Sequence, residues 1–257
     1  MHFTFPDGNA VRINCHDSAA LLAAARQRLE QGRGFAIATI NVDHLQRLGE
    51  DAGFRRAYAA HDLICADGNP IVWLSRLAGR PVRLAPGSDQ VLPLAELAAG
   101  LGLPVALIGS NDDSLTRAAE SMRARVPTLR IAMTHAPGFP FDPDGPEADD
   151  IIARIRQSGA RLCFLALGAP RQERFAIRAR DALGNTGFAS IGAGLDFLSG
   201  HQRRAPVLVR RIKMEWAWRM LSNPRRLFLR YAKGFTIMPG YARQALALRA
   251  RDRDAAP

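Results

Sequence analysis

The chain has 257 residues, 47% of them hydrophobic, with 35 Lys+Arg against 24 Asp+Glu and a formal charge of +11. That apolar content excludes a disordered or fibrous protein and is enough for one large domain, alone or with an appendage. Residues 1–200 hold 21 charges of each sign, whereas residues 201–257 hold 14 basic and 3 acidic residues, including both lysines, Lys213 and Lys233. The basicity is therefore local, and suits an anionic partner such as a lipid surface, a nucleic acid or a phosphorylated ligand.

In chain order, short alternating runs on either side of Pro6-Asp7-Gly8-Asn9 predict a hairpin, and the Ala/Leu-rich residues 17–31 predict a helix. Strand and helix then alternate. Apolar runs at 35–41, 63–66, 104–109, 129–133, 162–167 and 188–192 predict strands. Helical stretches of roughly 10 to 18 residues separate them. Near-continuous apolar strands between helices imply an α/β fold, a doubly wound, mostly parallel sheet covered on both faces. After Gly200 the texture changes to Arg mixed with Trp, Leu, Ile and Phe, and Pro206, Pro224 and Pro239 should divide it into two or three short helices. Residues 1–200 are thus expected to form a catalytic domain that folds without residues 201–257, a basic amphipathic helical appendage. Only residues 249–257 read as disordered.

The three thiols, Cys15, Cys65 and Cys163, are odd in number and show no Cys-x-x-Cys spacing. Cys65 and Cys163 lie in apolar runs and should be buried, so a reducing cytoplasm is expected. The first residues lack a basic and then apolar leader, and no run approaches the roughly 18 apolar residues of a spanning helix.

Doubly wound sheets bind ligands beyond the carboxyl ends of their strands. The residues that should rim this crevice are Thr39 and Asn41, Asp67, Ser110 and Asn111, 168–172 and 192–196. Asp67 ends an apolar run and precedes Gly68 and Pro70, which delivers a carboxylate at a strand end, either as a turn residue or as a general base. Thr39 and Asn41 share one strand face and need hydrogen-bond partners, from a ligand or from a helix cap. Gly168-Ala169-Pro170 forms a turn before a helix whose first turn carries Arg171, Gln172 and Glu173. Free amides there would favour a diphosphate, although an ordinary turn with an acidic first helical turn fits as well. Gly192 and Gly194 let backbone approach a ligand, with Asp196 as an acceptor. Asp142-Pro143-Asp144 has the form of a metal-binding Asp-x-Asp, but its Pro/Gly-rich surroundings favour a loop, and no third glycine completes a dinucleotide fingerprint at 192–194. Neither metal nor cofactor is expected. The basic end reads as a solvated face, a nucleic-acid platform or a membrane-docking surface. Its interleaved aromatics favour the last, and no nucleic acid is expected as partner.

Together, Thr39-x-Asn41, Ala66-Asp67-Gly68, Pro86-Gly87-Ser88-Asp89, Leu107-Ile108-Gly109, Leu167 to Glu173, Gly192-Ala193-Gly194 with Asp196, Arg204-Ala205-Pro206, Glu215-Trp216-x-Trp218-Arg219 and Pro224-x-Arg226 resemble the WecG/TagA/CpsF glycosyltransferases, in the same order. The resemblance implies inverting transfer of a sugar from a UDP-sugar to a polyprenyl-diphosphate-linked sugar in bacterial surface-polysaccharide synthesis. It implies no required metal, and a place on the inner face of the cell membrane, as monomer or homo-oligomer. It makes Asp67 the base. Thr39 and Asn41 line the sugar site, Gln172 the donor pocket and Asp196 the nucleotide pocket, and Arg83 matches the family's arginine in its segment; Asn111 is expected among the substrate-binding residues from its place on the crevice rim. Arg219, Arg226 and Arg230 become the cations that neutralise the diphosphate. The chain looks most like xanthan-type β-1,4-glucosyltransferases, with transfer of N-acetylmannosamine or its uronate as the alternative. It departs from the pattern at Arg171, where the family usually has Lys, at Lys213-Met214, where Gly-Leu is common, and in the spacing of Arg230. An oxidoreductase would need the missing glycine fingerprint, and a nucleic-acid-binding protein would bind in a salt-dependent way indifferent to UDP.

Overall fold

The computed structural model describes residues 1–202, 206, 218 and 224–254, with backbone alone at 224–232 and 235. The Pro6–Asn9 turn joins β1 (His2–Thr4) to β2 (Ala10–Arg12) in the expected antiparallel hairpin, Phe3 opposite Val11. Asp17 caps α1 (Ser18–Glu30), its carboxylate accepting from Ala20 N–H at 2.9 Å.

Six parallel strands follow: β3 (Phe35–Ile40), β4 (Leu63–Ala66), β5 (Val105–Gly109), β6 (Ile131–His135), β7 (Leu162–Ala166) and β8 (Gly187–Ser190), in the order β4-β3-β8-β7-β5-β6. Every residue of β3, β4, β5 and β8 is buried, which is why they read as continuous apolar runs. Edge strand β6 is half-wet, and it begins two residues later than the sequence suggested. Leu129 is buried from a turn, its N–H bonded to Val126 O, and not from the sheet. The last strand is also shorter than expected, because Gly192 adopts φ +56° and turns the chain out of the sheet.

The connecting helices are α2 (Val42–Glu50), α3 (Ala52–Ala59), α4 (Asn69–Leu77), α5 (Gly87–Gly100), α6 (Asp112–Arg125), α7 (Pro146–Ser158), α8 (Arg171–Leu183) and α9 (Gly194–Leu198). Side chains of α1, α5, α6 and α9 pack with Phe35 and Ile37 on one face of the sheet. Ala36, Ala38 and Ile40 look the other way, toward α2, α3, α4, α7 and α8. The connection after β3 thus leaves toward one face and the one after its neighbour β8 toward the other, which opens a crevice at their carboxyl ends. Cys15, Cys65 and Cys163 are all buried and unpaired by disulfide.

The C-terminal element corrects two expectations. A single helix, α10 (Pro224–Asp254), runs through Pro239 and takes in residues 249–254. Pro239 and Gly240 are exposed, so the proline sits on the solvent side of the helix. The second half of α10 belongs to the same core as the hairpin. Ala245 and Leu248 are buried with Phe3, Val11 and Val82, Tyr241 meets Phe3 edge to face, and Tyr241 OH donates to Leu45 O at 3.2 Å. Gln244 pairs with both backbone groups of Thr4, and Asp252 receives two bonds from Arg80. The packing therefore does not end at Gly200. Among the described residues no helix is long and apolar enough to cross a membrane.

Candidate functional site

The ends of β3 and β4 bring three predicted residues together. Thr39 is the last inward-facing side chain of its row on β3 and is buried. Asn41 leaves the strand and caps α2, accepting from His44 N–H at 3.0 Å, so the capping role weighed from sequence does occupy its oxygen. His44 folds back, its Nδ1 lying 2.8 Å from Thr39 O. Asp67 N–H donates to Ile40 O at 2.8 Å, which registers the acidic residue beside Asn41 at the sheet end. Its side chain is partly exposed. Gly68 follows at φ +99°, a conformation that L side chains rarely adopt, and α4 begins at once with Pro70 in its first turn.

The loop after α4 returns to this point. Ala85 N–H bonds Ala66 O, and Arg83, exposed, is held by its own N–H to His16 O at 2.7 Å. Gly87 then starts α5 against β3 and β8. A Cβ there would lie 3.2 Å from Ile191 Cα, Ser190 O and Thr39 Oγ1, so the Pro86-Gly87 turn is glycine by close approach. Gly194 serves the same end from α9, where a Cβ would meet Val91 Cγ2 at 2.8 Å.

Asp196 is gripped from two sides. Ser110 Oγ donates to its Oδ1 at 2.5 Å, and Gln202 Nε2 to its Oδ2 at 2.8 Å. Ser110 has φ +55°, the only non-glycine residue with positive φ among those described, and this carries β5 over to Asp196. Its neighbour Asn111 is exposed and caps α6 through Ser114 N–H.

At the start of α8 the structure departs from the anion-binding expectation. Gln172 N–H bonds Gly168 O, so this first-turn amide is occupied. Gln172 and Glu173 are buried and joined by a hydrogen bond. Glu173 is the functional candidate that the sequence reading passed over as an ordinary acidic first-turn residue. The signal was present: 172, 176 and 179, with 173 beside them, fall on the inward stripe that holds Ala176 and Ala179. Burial pushes the Glu173 carboxyl up to about 7, opposed by the Gln172 hydrogen bond. Tyr58, buried beneath α8, stays protonated far above its usual range through burial, then through the nearby Glu173, Cys65 and Asp67. A buried polar row of Thr39 O, His44 and Tyr58, within electrostatic reach of both carboxyls, thus lies behind the crevice.

Arg219 lies outside the described residues. So do the side chains of Arg226 and Arg230, whose backbone belongs to the first half of α10. Asp142 and Asp144 sit in the loop between β6 and α7. There Asp142 Oδ1 accepts from Asp144 N–H and Asp144 pairs with Arg174, which is the arrangement of a loop. Among the described residues no group of three or more His, Cys, Asp or Glu side chains is placed to hold a metal.

A family model described as glycosyl transferase WecG/TagA/CpsF family matches residues 9–252. The chain belongs to that family. The match runs from the hairpin turn almost to the end of α10, so sheet, crevice and C-terminal helix all belong to one glycosyltransferase, which requires a sugar donor and an acceptor.

Proposed function

We propose that this glycosyltransferase moves a sugar, glucose on the strength of the xanthan-type resemblance, from a UDP-sugar to a polyprenyl-diphosphate-linked sugar, with inversion and with Asp67 as base. The acceptor oxygen attacks the anomeric carbon as the bond to the UDP oxygen breaks, and the acceptor proton passes to the Asp67 carboxylate. One carboxylate suffices for that transfer. The departing UDP gains negative charge, which cations stabilise; Arg219, Arg226 and Arg230 in the basic region are the groups assigned to it. Arg83, Asn111, Thr39, Asn41, Gln172 and Asp196 hold the two substrates in this reading. The basic region also faces an anionic membrane surface, where each basic residue adds about 1 kcal/mol.

The observation that carries the reading is the placement of Asp67: a partly exposed carboxylate at the end of β4, locked by its own N–H to Ile40 O beside Thr39 and Asn41. Asp67→Asn should lower turnover by at least about 10²-fold while leaving donor binding intact. Turnover near that of the parent chain would remove Asp67 from the role. A panel of UDP-sugars with a short-chain lipid-diphosphate-sugar acceptor identifies the donor.

A further inference from the structure

Gln172 and Glu173 are 3% and 0% exposed, and their side chains meet in one bond, Gln172 Nε2 donating to Glu173 Oε1 at 2.7 Å. The remaining oxygens, Gln172 Oε1 and Glu173 Oε2, are buried without a hydrogen-bond partner. So is Ser190 Oγ, which lies two residues beyond Phe188 on β8 and hence on the sheet face that α8 covers. Buried polar atoms are nearly always paired, and each left unpaired has a cost of roughly 1–3 kcal/mol. Two such atoms in the first turn of one helix, with a third on the sheet face that this helix covers, are poorly explained by stability.

We propose that Glu173 is a positioning residue of the donor site, fixing the Gln172 amide so that its free Oε1 is presented to a hydroxyl of the sugar nucleotide. This rests on the assignment of Gln172 to the donor pocket. The bond to Glu173 uses the amide nitrogen and so determines which end of the amide remains for the ligand. An acceptor with a carboxylic acid beside it suits a hydroxyl, which both donates and accepts, and does not suit a phosphate oxygen.

Charge makes the idea testable. Burial holds the Glu173 carboxyl up to about 7, so it is mostly neutral in mild acid and ionised in mild base. The charged groups acting on it are Arg47, which lowers the value, and Asp43, which raises it, both on α2; Tyr58 of α3, itself pushed up in part by Glu173, stays neutral across this range. Ionisation adds a negative charge beside a site that takes an anionic sugar nucleotide and should weaken donor binding.

The experiment is calorimetric titration of the full chain with UDP-glucose, whose diphosphate is doubly esterified and does not titrate between about pH 6 and about pH 8.5. The parent chain should bind at least about threefold more weakly at the higher pH. Glu173→Gln, an uncharged mimic, should bind independently of pH with the affinity that the parent shows in acid. Glu173→Ala and Gln172→Ala should each lose about tenfold or more at both pH values. The proposal is overturned if Glu173→Gln keeps the parent pH dependence, or if Glu173→Ala binds as the parent does. Should Glu173→Ala fail to fold, the pH profile of Glu173→Gln decides alone. If Gln172→Ala binds normally, the donor-pocket assignment itself is wrong and the proposal falls with it. Loss with Gln172→Ala but not with the Glu173 variants refutes the positioning role alone.

Discussion

Leu246 and Leu248 stand two residues apart on α10, one 50% and the other 8% exposed, and together they test how far the C-terminal helix belongs to the core. Leu248→Ala removes three carbons from a cluster that includes Phe3, Val11 and Val82. At about 0.8 kcal/mol per buried methylene the transfer loss is about 2.4 kcal/mol, and the measured range for such truncations is about 2–5 kcal/mol. Leu248 sits at the rim, where neighbours can relax into the space, so about 2–3 kcal/mol is expected. For a chain of this size that lowers Tm by about 5–10 °C. Leu246→Ala should stay within about 0.5 kcal/mol of the parent. Thermal and urea unfolding followed by circular dichroism on both variants decides the matter. If Leu248→Ala melts with the parent chain, or if both variants lose the same stability, α10 is not packed as described. On the same reasoning a chain stopped at Gly200 loses Ala245, Leu248, the Tyr241 contacts and both Gln244 bonds, and should unfold well below the full-length chain instead of surviving as a stable core.

Gly87→Ala places a methyl group 3.2 Å from two backbone atoms and Thr39 Oγ1, which should destabilise the fold by about 1–3 kcal/mol. It should also reduce transferase activity more than an equally destabilising change remote from the crevice does. Burial lowers the His61 value from 6.5 to about 4, so between those values the unfolded chain binds more protons than the folded one, and acidification through that window removes stability, up to about 3 kcal/mol. His61→Gln should flatten this acid limb in urea unfolding. Glu173 has the opposite sign: its folded value of about 7 exceeds the ordinary 4.5, so its contribution is full below 4.5 and is lost as pH rises through 7. Glu173→Gln should therefore be more stable than the parent at about pH 8 and gain no such advantage at about pH 4.5, by a difference of up to about 3 kcal/mol. Equal stabilities at both pH values would show that the carboxyl is not buried.

Local rules made the elements legible. Asp17 before an Ala/Leu-rich stretch starts α1, buried apolar runs mark the strands, and Asp67-Gly68 with Pro70 marks a strand end that turns at once into a helix. The rule that ligands sit beyond strand ends pointed to Thr39, Asn41, Asp67 and Asp196, and the fold places all four at or just past the carboxyl ends of strands. It failed where local grammar and tertiary environment disagree. Proline normally breaks a helix, yet α10 continues through Pro239, which is exposed. Residues 249–254 carry the charge pattern of a loose tail, yet Arg80, far back in the chain, holds Asp252.

What the sequence determined by itself was the order of strands and helices, the neutral body with its basic end, and the residues lying at strand ends, because hydrophobic period, caps and turn residues act over a few positions. Only the tertiary structure decided that Glu173 is sealed against Gln172, that Ser110 holds Asp196, that Gly87 is hemmed in by Thr39 and β8, and that the end of α10 closes over the opening hairpin. Each of these joins segments distant in sequence or depends on what covers a side chain. Desolvation and close packing are set by those neighbours, and a residue's own local pattern carries no record of them.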